Sequence, residues 1–187
     1  MELLLDTVNL EEIRKCQEIY PITGVTSNPS IIRAEGKISF FSHMRELRSI
    51  IGMDKTLHVQ VTGLDSETMI REAERITNEI DSKVYIKVPT TEEGLKAMRH
   101  LKAAGFGVTA TAIYTKVQGL AAILTGADFI APYCNRMENM DVDFEDTVAY
   151  LRNVIDENNS DTKILAASFK NIGQVHRAFA AGAQTVT

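Results

Sequence analysis

The segment KVYIKVPTTEEGLKAMRHLKAAGFGVTAT, residues 83–111, has the pattern of a strand, a helix and a second strand. Short runs with alternating or continuous apolar character at 83–88 and 107–111 predict the two strands. The longer stretch between them, 91–104, spaces its apolar residues at helical intervals. We therefore expect one β–α–β unit here, with its two strands parallel.

The ends of this helix can also be predicted. Thr90 can cap the first turn while the side chain of Glu93 reaches back, in the Thr-x-x-Glu arrangement of a capping box. Gly105 supplies the permissive backbone that ends the helix. Between these ends, Leu95 and Met98 lie three residues apart and belong to one apolar stripe that packs against the sheet.

The same alternation of short apolar runs and longer amphipathic segments continues along the whole chain. The short runs predict eight strands, at 2–6, 23–27, 56–61, 83–88, 107–111, 127–131, 163–167 and 184–187. The longer segments predict helices at 9–19, 38–51, 65–80, 91–104, 114–124, 143–158 and 171–181.

Eight parallel strands alternating with helices form either an open sheet or a closed barrel, and short, even connections favour closure. We therefore expect a single-domain α/β protein, a (β/α)8 TIM barrel spanning residues 1–187. Such barrels usually have about 250 residues, so this one is small. The sequence ends at Thr187, where the eighth strand would finish, and it contains no eighth helix.

Composition and charge argue against several classes of function. The 187 residues, 44% of them hydrophobic, suffice for one substantial core. The net charge of −5 and the lack of a basic cluster argue against nucleic-acid binding. The N-terminus lacks the features of a secretory signal, and no apolar run approaches the ~18 residues of a membrane span. We expect a cytoplasmic protein with no membrane partner.

The cysteines and histidines do not indicate a disulfide framework or a zinc site. Cys16 and Cys134 lack metal-ligand spacing. The histidines are scattered singly, at His43, His58, His100 and His176. We expect no metal and no cofactor.

Polar residues stand at the ends of seven predicted strands. In a barrel, the inward residues nearest the carboxyl ends of the strands form the floor of the active site. The simpler alternative is that strand ends are polar because they are exposed. In strand order the residues are Asp6, Ser27 with Asn28, Gln60, Lys87, Thr111, Tyr133 and Ser168.

Lys87 is the most informative of these residues. Val84, Ile86 and Val88 share one parity and should face the helices, which leaves Lys87 on the inward face. Burial there, together with positive charge from a group such as Arg136, would favour the neutral amine that attacks a carbonyl carbon. A lysine at a strand end can equally be an ion-pair partner.

Six short strings follow one another in order along the whole chain. They are LDT (5–7), GVTSNPS (24–30), KVP (87–89) with EGL (93–95), TATAIY (109–114), APY (131–133) with NR (135–136), and AASFK (166–170). Together they resemble the transaldolase family, in particular its small branch of fructose 6-phosphate aldolases and transaldolase-like proteins.

The resemblance implies a metal-independent Schiff-base mechanism. Lys87 matches the Schiff-base lysine of the family, and Tyr133 matches its acid/base position. Gln60 and Thr111 match residues that hold a water beside the lysine. Asp6 matches a residue that orients substrate hydroxyls and takes part in proton transfers around the iminium.

The resemblance also implies a set of substrate-binding residues. Asn28 matches a residue that orients hydroxyls of a ketose, and Arg136 with Ser168 matches the phosphate-binding pair. Thr26 and Ala131 lie within the matching strings and are expected to bind the substrate as well.

Positions 60 and 133 distinguish two activities in this family. Transaldolases of this kind typically have glutamate and phenylalanine there, whereas the aldolases have glutamine and tyrosine. Gln60 and Tyr133 therefore favour an aldolase that cleaves fructose 6-phosphate reversibly to dihydroxyacetone and glyceraldehyde 3-phosphate. The alternatives are a transaldolase that transfers the dihydroxyacetone unit, and a non-catalytic sugar-phosphate-binding barrel. Gln60 could instead satisfy buried backbone groups, and Tyr133 could pack with its hydroxyl bonded.

The resemblance further implies a homo-oligomer, commonly two stacked pentamers, in which a C-terminal helix reaches a neighbouring subunit. That helix would follow Thr187 and is absent from this sequence. Residues 135–143 are the longest non-periodic stretch after a strand, and we expect a loop there that can close over the phosphate as a lid.

Overall fold

Eight parallel strands form one closed barrel in the computed structural model, which describes residues 1–187. Each strand pairs with the next one along the chain, and the first pairs with the last. The strands are β1 (Glu2–Asp6), β2 (Gly24–Thr26), β3 (Thr56–Gln60), β4 (Tyr85–Pro89), β5 (Gly107–Ile113), β6 (Phe129–Pro132), β7 (Lys163–Ala166) and β8 (Thr185–Val186). The predicted (β/α)8 barrel is confirmed, and the open sheet is excluded.

Nine helices alternate with these strands, and no helix is long and apolar enough to cross a membrane. The helices are α1 (Leu10–Ile19), α2 (Pro29–Ala34), α3 (Phe40–Ile51), α4 (Ser66–Glu79), α5 (Glu92–Ala103), α6 (Lys116–Leu124), α7 (Cys134–Glu138), α8 (Phe144–Glu157) and α9 (Ile172–Ala180). The short helices α2 and α7 are not among the predicted ones. The expectation of a loop over 135–143 is wrong in its first part, because α7 occupies it and buries Cys134 and Met137.

The two faces of β4 have the predicted parity. Val84, Ile86 and Val88 are buried in the large apolar core that the strands share with the helices. Tyr85 packs instead against a second apolar cluster, and Lys87 lines a cavity. The inward orientation expected of Lys87 is therefore confirmed.

The start of α5 differs from its prediction by one residue. Thr91 is the N-cap, and its hydroxyl accepts a hydrogen bond from the Gly94 backbone N–H at 3.0 Å. Thr90 is buried and donates to the Thr111 carbonyl instead, so its assignment as the cap is wrong. A Cβ at Gly94 would lie 1.8 Å from the Pro89 carbonyl oxygen, so glycine allows α5 to begin against the end of β4.

An apolar and aromatic plug fills the barrel below its carboxyl end. Leu4, Phe129 and Leu165 form a cluster from three strands, with Tyr85 packed against it. The ring of His58 stacks on Tyr85 at a centroid distance of 4.9 Å and meets the edge of Phe129 at 5.0 Å. The interior is thus a packed core, and any site must lie above it.

The barrel closes through polar contacts between its first strand and its last two. The Glu2 carboxylate accepts hydrogen bonds from Lys163 at 2.6 Å and from the Thr185 hydroxyl at 3.0 Å. Because β8 is only two residues long, these side chains reinforce a short ladder of backbone hydrogen bonds.

Candidate active site

A cavity of about 750 Å³ opens at the carboxyl ends of the strands. This is the end of a β/α barrel at which active sites lie. Seven residues expected at the site line it: Asp6, Asn28, Gln60, Lys87, Tyr133, Arg136 and Ser168. The structure therefore brings together residues from six strands or the loops that follow them.

Lys87 lies at the floor of this cavity and is only 4% exposed. Its Nζ donates one protein hydrogen bond, to the Ser27 carbonyl oxygen at 2.8 Å. The site contains no salt bridge to this lysine. The alternative of a strand-end ion pair is therefore wrong for Lys87.

The environment of Lys87 favours its neutral amine. Burial lowers the pKa of Lys87 to about 8, against the opposing effect of the Asp6 carboxylate. Positive charge from Arg136 was expected to assist, but burial alone is the cause of the low pKa. On the order of a tenth of the amine is therefore unprotonated at pH 7.

Asp6 is held by a hydroxyl network at the rim of the barrel. The Thr26 hydroxyl donates to Asp6 Oδ1 at 2.7 Å and lies 2.7 Å from the Thr187 hydroxyl. Thr26 is fully buried and does not line the cavity, whereas Thr187 does. Thr26 thus orients Asp6, and Thr187 is a wall residue that the sequence patterns do not predict.

Tyr133 and Thr111 form a second polar pair. Their hydroxyl oxygens lie 2.9 Å apart, with Tyr133 on the cavity wall and Thr111 buried behind it. Burial raises the pKa of Tyr133, although the hydrogen bond with Thr111 opposes this effect. The phenol is therefore protonated at neutral pH and can donate a proton into the cavity.

Gln60 and Asn28 differ in how much of their hydrogen-bonding capacity the protein uses. Gln60 Oε1 is buried and accepts no hydrogen bond from the protein. The proposal that Gln60 satisfies buried backbone groups is thus not supported for this oxygen. Asn28 Oδ1 caps α2 by accepting from the Ser30 and Ile31 backbone N–H groups. Its amide nitrogen makes no protein hydrogen bond, which leaves a donor for a ligand.

Arg136 and Ser168 stand at the outer part of the cavity. The Arg136 guanidinium lies 5.0 Å from the centre of the Tyr133 ring and donates to the Tyr114 hydroxyl at 3.2 Å. Ser168 has a positive φ of 64°. Lys170 also lines the cavity and adds positive charge to that of Arg136. This end of the site is suited to an anion.

Two alanines near the site have different positions. Ala131 is 1% exposed on β6 and lies behind the cavity wall, so it does not line the cavity. Ala112 lines the cavity with a φ of 57°, where the pairing of β5 with β6 shifts register between Ala110 and Ile113. Nothing in the sequence marks this conformation, because glycine or asparagine would be the usual residue there.

The comparison with known protein families agrees with this geometry. The model of the transaldolase/fructose-6-phosphate aldolase family matches residues 3–187. The chain belongs to this family. The resemblance inferred from the six strings is therefore confirmed.

A relative within the transaldolase/fructose-6-phosphate aldolase family is the probable fructose-6-phosphate aldolase of Streptococcus pneumoniae (strain ATCC 700669 / Spain 23F-1). The two sequences are 50% identical over 187 residues, which cover 100% of this chain and 84% of that protein. The aligned region therefore spans every strand of the barrel.

Proposed function

We propose that this protein is a Schiff-base aldolase that reversibly cleaves fructose 6-phosphate to dihydroxyacetone and glyceraldehyde 3-phosphate. The observation that carries the proposal is Lys87, a buried amine with a pKa of about 8 on the floor of a polar cavity. Such an amine is a nucleophile for a ketose carbonyl. Family membership and the name of the 50% identical relative support the same activity.

The first step uses the neutral amine of Lys87. Its Nζ attacks C2 of the open-chain ketose, and the resulting carbinolamine loses water to give a cationic iminium. Asp6 and the Asn28 amide lie on the cavity wall, where they can bind substrate hydroxyls near this carbon. The iminium then withdraws electrons from the C3–C4 bond.

The second step breaks that bond and moves one proton. The C4 hydroxyl loses its proton, the C3–C4 electron pair enters the iminium to form an enamine, and glyceraldehyde 3-phosphate leaves. Because the Tyr133 phenol is protonated at rest, the C4 proton leaves most readily through a water beside Gln60 and Thr111. Buried Gln60 Oε1, which has no protein donor, supports binding of such a water.

The third step returns the enzyme to its resting state. Tyr133 protonates C3 of the enamine and regains a proton from the water that took the C4 proton. Water then adds to the iminium carbon, and dihydroxyacetone is released as the Lys87 amine re-forms. The phosphate of the substrate is held throughout by Arg136, Ser168 and Lys170 at the outer end of the cavity. The guanidinium and ammonium groups match its charge.

A transaldolase is the second candidate, because the family includes transaldolases. In that reaction the enamine waits for an acceptor aldose phosphate and is not protonated. The half-buried Tyr133 phenol favours the aldolase, since it is a proton donor beside the enamine.

Covalent trapping tests the mechanism shared by both activities. Incubation with fructose 6-phosphate and borohydride should add a reduced three- or six-carbon adduct to Lys87, which peptide mass spectrometry locates. The Lys87→Met variant is the matched control and should gain no mass. A wild-type protein that binds the sugar phosphate without forming the adduct would be a non-catalytic binding barrel.

A product assay separates the aldolase from the transaldolase. We expect dihydroxyacetone release from fructose 6-phosphate alone, at a rate little changed by erythrose 4-phosphate. A transaldolase would instead release negligible dihydroxyacetone. It would form sedoheptulose 7-phosphate, and only when erythrose 4-phosphate is present.

The oligomeric state and the cellular location of the protein are further parts of the proposed function. We propose a homo-oligomer, which exposed apolar side chains at Leu64, Val117 and Ile172 support. Light scattering on the purified protein measures its mass, and a monomeric mass would contradict this assignment. A cytoplasmic location stays a prediction that cell fractionation tests.

A further inference from the structure

His58 is a buried histidine that the proposed reaction does not use. It lies on β3 with no exposed surface, two residues before Gln60, and its ring stacks on Tyr85. Its Nε2 has no hydrogen-bond partner in the protein. Burial lowers the pKa of His58 well below its usual value, and the positive charge of Lys87 acts in the same direction. The imidazole is thus neutral.

The imidazole forms a bridge beneath Lys87. His58 Nδ1 lies 2.8 Å from the Thr109 hydroxyl, which has no other hydrogen-bond partner. His58 is on β3 and Thr109 on β5, so the bridge crosses the inward face of β4. In the barrel register Lys87 pairs with Thr109 on one side and with Gln60 on the other.

This register places the Thr109 hydroxyl, a second possible hydrogen-bond acceptor for Nζ, beside the reactive amine. Side chains at paired positions of neighbouring strands point to the same side, so Thr109 shares the inward face with Lys87. A free hydroxyl there would accept a hydrogen bond from Nζ, and such a bond favours the protonated amine. In the structure the Thr109 hydroxyl is bound to His58, and Nζ bonds only to the Ser27 carbonyl.

We propose that His58 is a positioning residue that holds the Thr109 hydroxyl away from Lys87, so that the amine makes no hydrogen bond to this hydroxyl and stays aimed into the cavity. The inference rests on the proposed role of Lys87 as the Schiff-base lysine. The backbone of His58 contributes as well, because its carbonyl accepts hydrogen bonds from the N–H and hydroxyl of Ser27. Ser27 in turn positions Nζ.

The charged and titratable groups around the bridge come from several elements. The Asp6 carboxylate on β1 partly opposes the effect of burial, which lowers the pKa of Lys87. Arg48 on α3 disfavours protonation of His58. Tyr85 on β4 stacks on the imidazole, and burial raises the pKa of its phenol. None of these groups is altered by the substitutions proposed below.

Three variants test the bridge. His58→Phe retains an aromatic ring against Tyr85 but frees the Thr109 hydroxyl. Thr109→Val removes the hydroxyl and leaves the imidazole unpaired, and the double variant replaces the polar pair with two apolar side chains. His58→Leu is a second way to free the hydroxyl if His58→Phe does not fold. Circular dichroism and thermal melting establish that each variant is folded.

The principal readout is the pKa of Lys87 itself. Carbon-13 NMR of protein labelled at lysine Cε follows each amine through its titration, and Lys87→Met assigns the signal of Lys87. This measurement needs no turnover, so it tests the bridge even if the proposed reaction is wrong. The borohydride trapping rate at neutral pH is the second readout.

We expect His58→Phe to raise the Lys87 pKa by about one unit, which lowers the neutral fraction and the trapping rate about tenfold. Thr109→Val should lose thermal stability but keep both the pKa and the trapping rate. In the double variant, the Lys87 pKa and the trapping rate should return from their His58→Phe values to those of the wild type. A wild-type pKa in His58→Phe, or a shift that persists in the double variant, would overturn the proposal.

Discussion

Tyr133 Oη lies 2.9 Å from Thr111 Oγ1, which fixes the phenol on the wall above Lys87. The buried threonine holds the phenol hydroxyl in one place, and burial keeps the phenol protonated. The pair therefore prepares a proton donor at the position where an enamine would form.

Replacing Tyr133 with phenylalanine removes this donor and preserves the ring. We expect kcat for dihydroxyacetone release to fall about 100-fold or more, since positioned acid–base groups contribute about 10² to 10⁴. Thr111→Val should cause a smaller loss, because the phenol remains but is less well oriented. Borohydride trapping on Lys87 should persist in both variants. An unchanged kcat in Tyr133→Phe would assign the proton to another group.

Lys87→Met should abolish activity and stabilise the fold at neutral pH. The folded-state pKa of about 8 lies below the ordinary lysine pKa of 10.5, so the charged lysine opposes folding. This cost to the free energy of folding is on the order of 3 kcal/mol below pH 8, and it vanishes as the pH rises through 10.5.

Urea unfolding of wild type and Lys87→Met at several pH values measures this effect. Wild-type stability should rise relative to the variant between pH 8 and 10.5, because the unfolded chain then binds more protons. A constant difference across this range would contradict a depressed pKa. In the same window the wild-type trapping rate should reach its plateau, just above pH 8.

Arg136→Ala tests the anion end of the cavity. We expect KM for fructose 6-phosphate to rise about 10- to 100-fold, the range for losing one charge-assisted hydrogen bond. Cleavage of unphosphorylated fructose should change little. Ser168→Gly is a suitable companion, because glycine accepts the positive φ at this position while the hydroxyl is lost. Equal losses on both sugars would place Arg136 outside the phosphate site.

Ala112 provides a test of backbone strain at the site. Its φ of 57° is accessible to glycine, so Ala112→Gly should leave stability within about 1 kcal/mol of the wild type. A β-branched residue resists this conformation, and Ala112→Val should cost about 1 to 3 kcal/mol. Thermal melting of the two variants gives the comparison. Similar melting temperatures would mean that the backbone relaxes here.

The features with long periodic signals were predictable from the sequence. Alternating apolar runs gave the eight strands in order, and the parity of β4 placed Lys87 inside the barrel. The six-residue α2 and five-residue α7 were missed, because helices this short have no apolar periodicity. Adjacent threonines also made the cap of α5 ambiguous, and burial of Thr90 decided it in favour of Thr91.

Contacts between distant strands could not be predicted in the same way. The bridge from His58 to Thr109 joins residues 51 apart, and a lone histidine in an apolar run carries no signal for it. The sequence also does not show how far Thr26 and Ala131 lie from the cavity surface. Both are buried behind residues that line the cavity. The short family strings identify such positions, but they do not show whether a side chain lines the cavity or is buried behind its wall.

The hydroxyl network at Asp6 depends on closure of the barrel. Thr26 on β2 reaches Asp6 on β1 and Thr187 after β8, a partner 161 residues away. A chain that has formed most of its strands but has not joined β1 to β8 would leave the Thr26 hydroxyl, which donates to Asp6, without its Thr187 partner. Recovery of catalytic activity during refolding should therefore lag behind the recovery of secondary structure, and activity would report the last long-range step of folding.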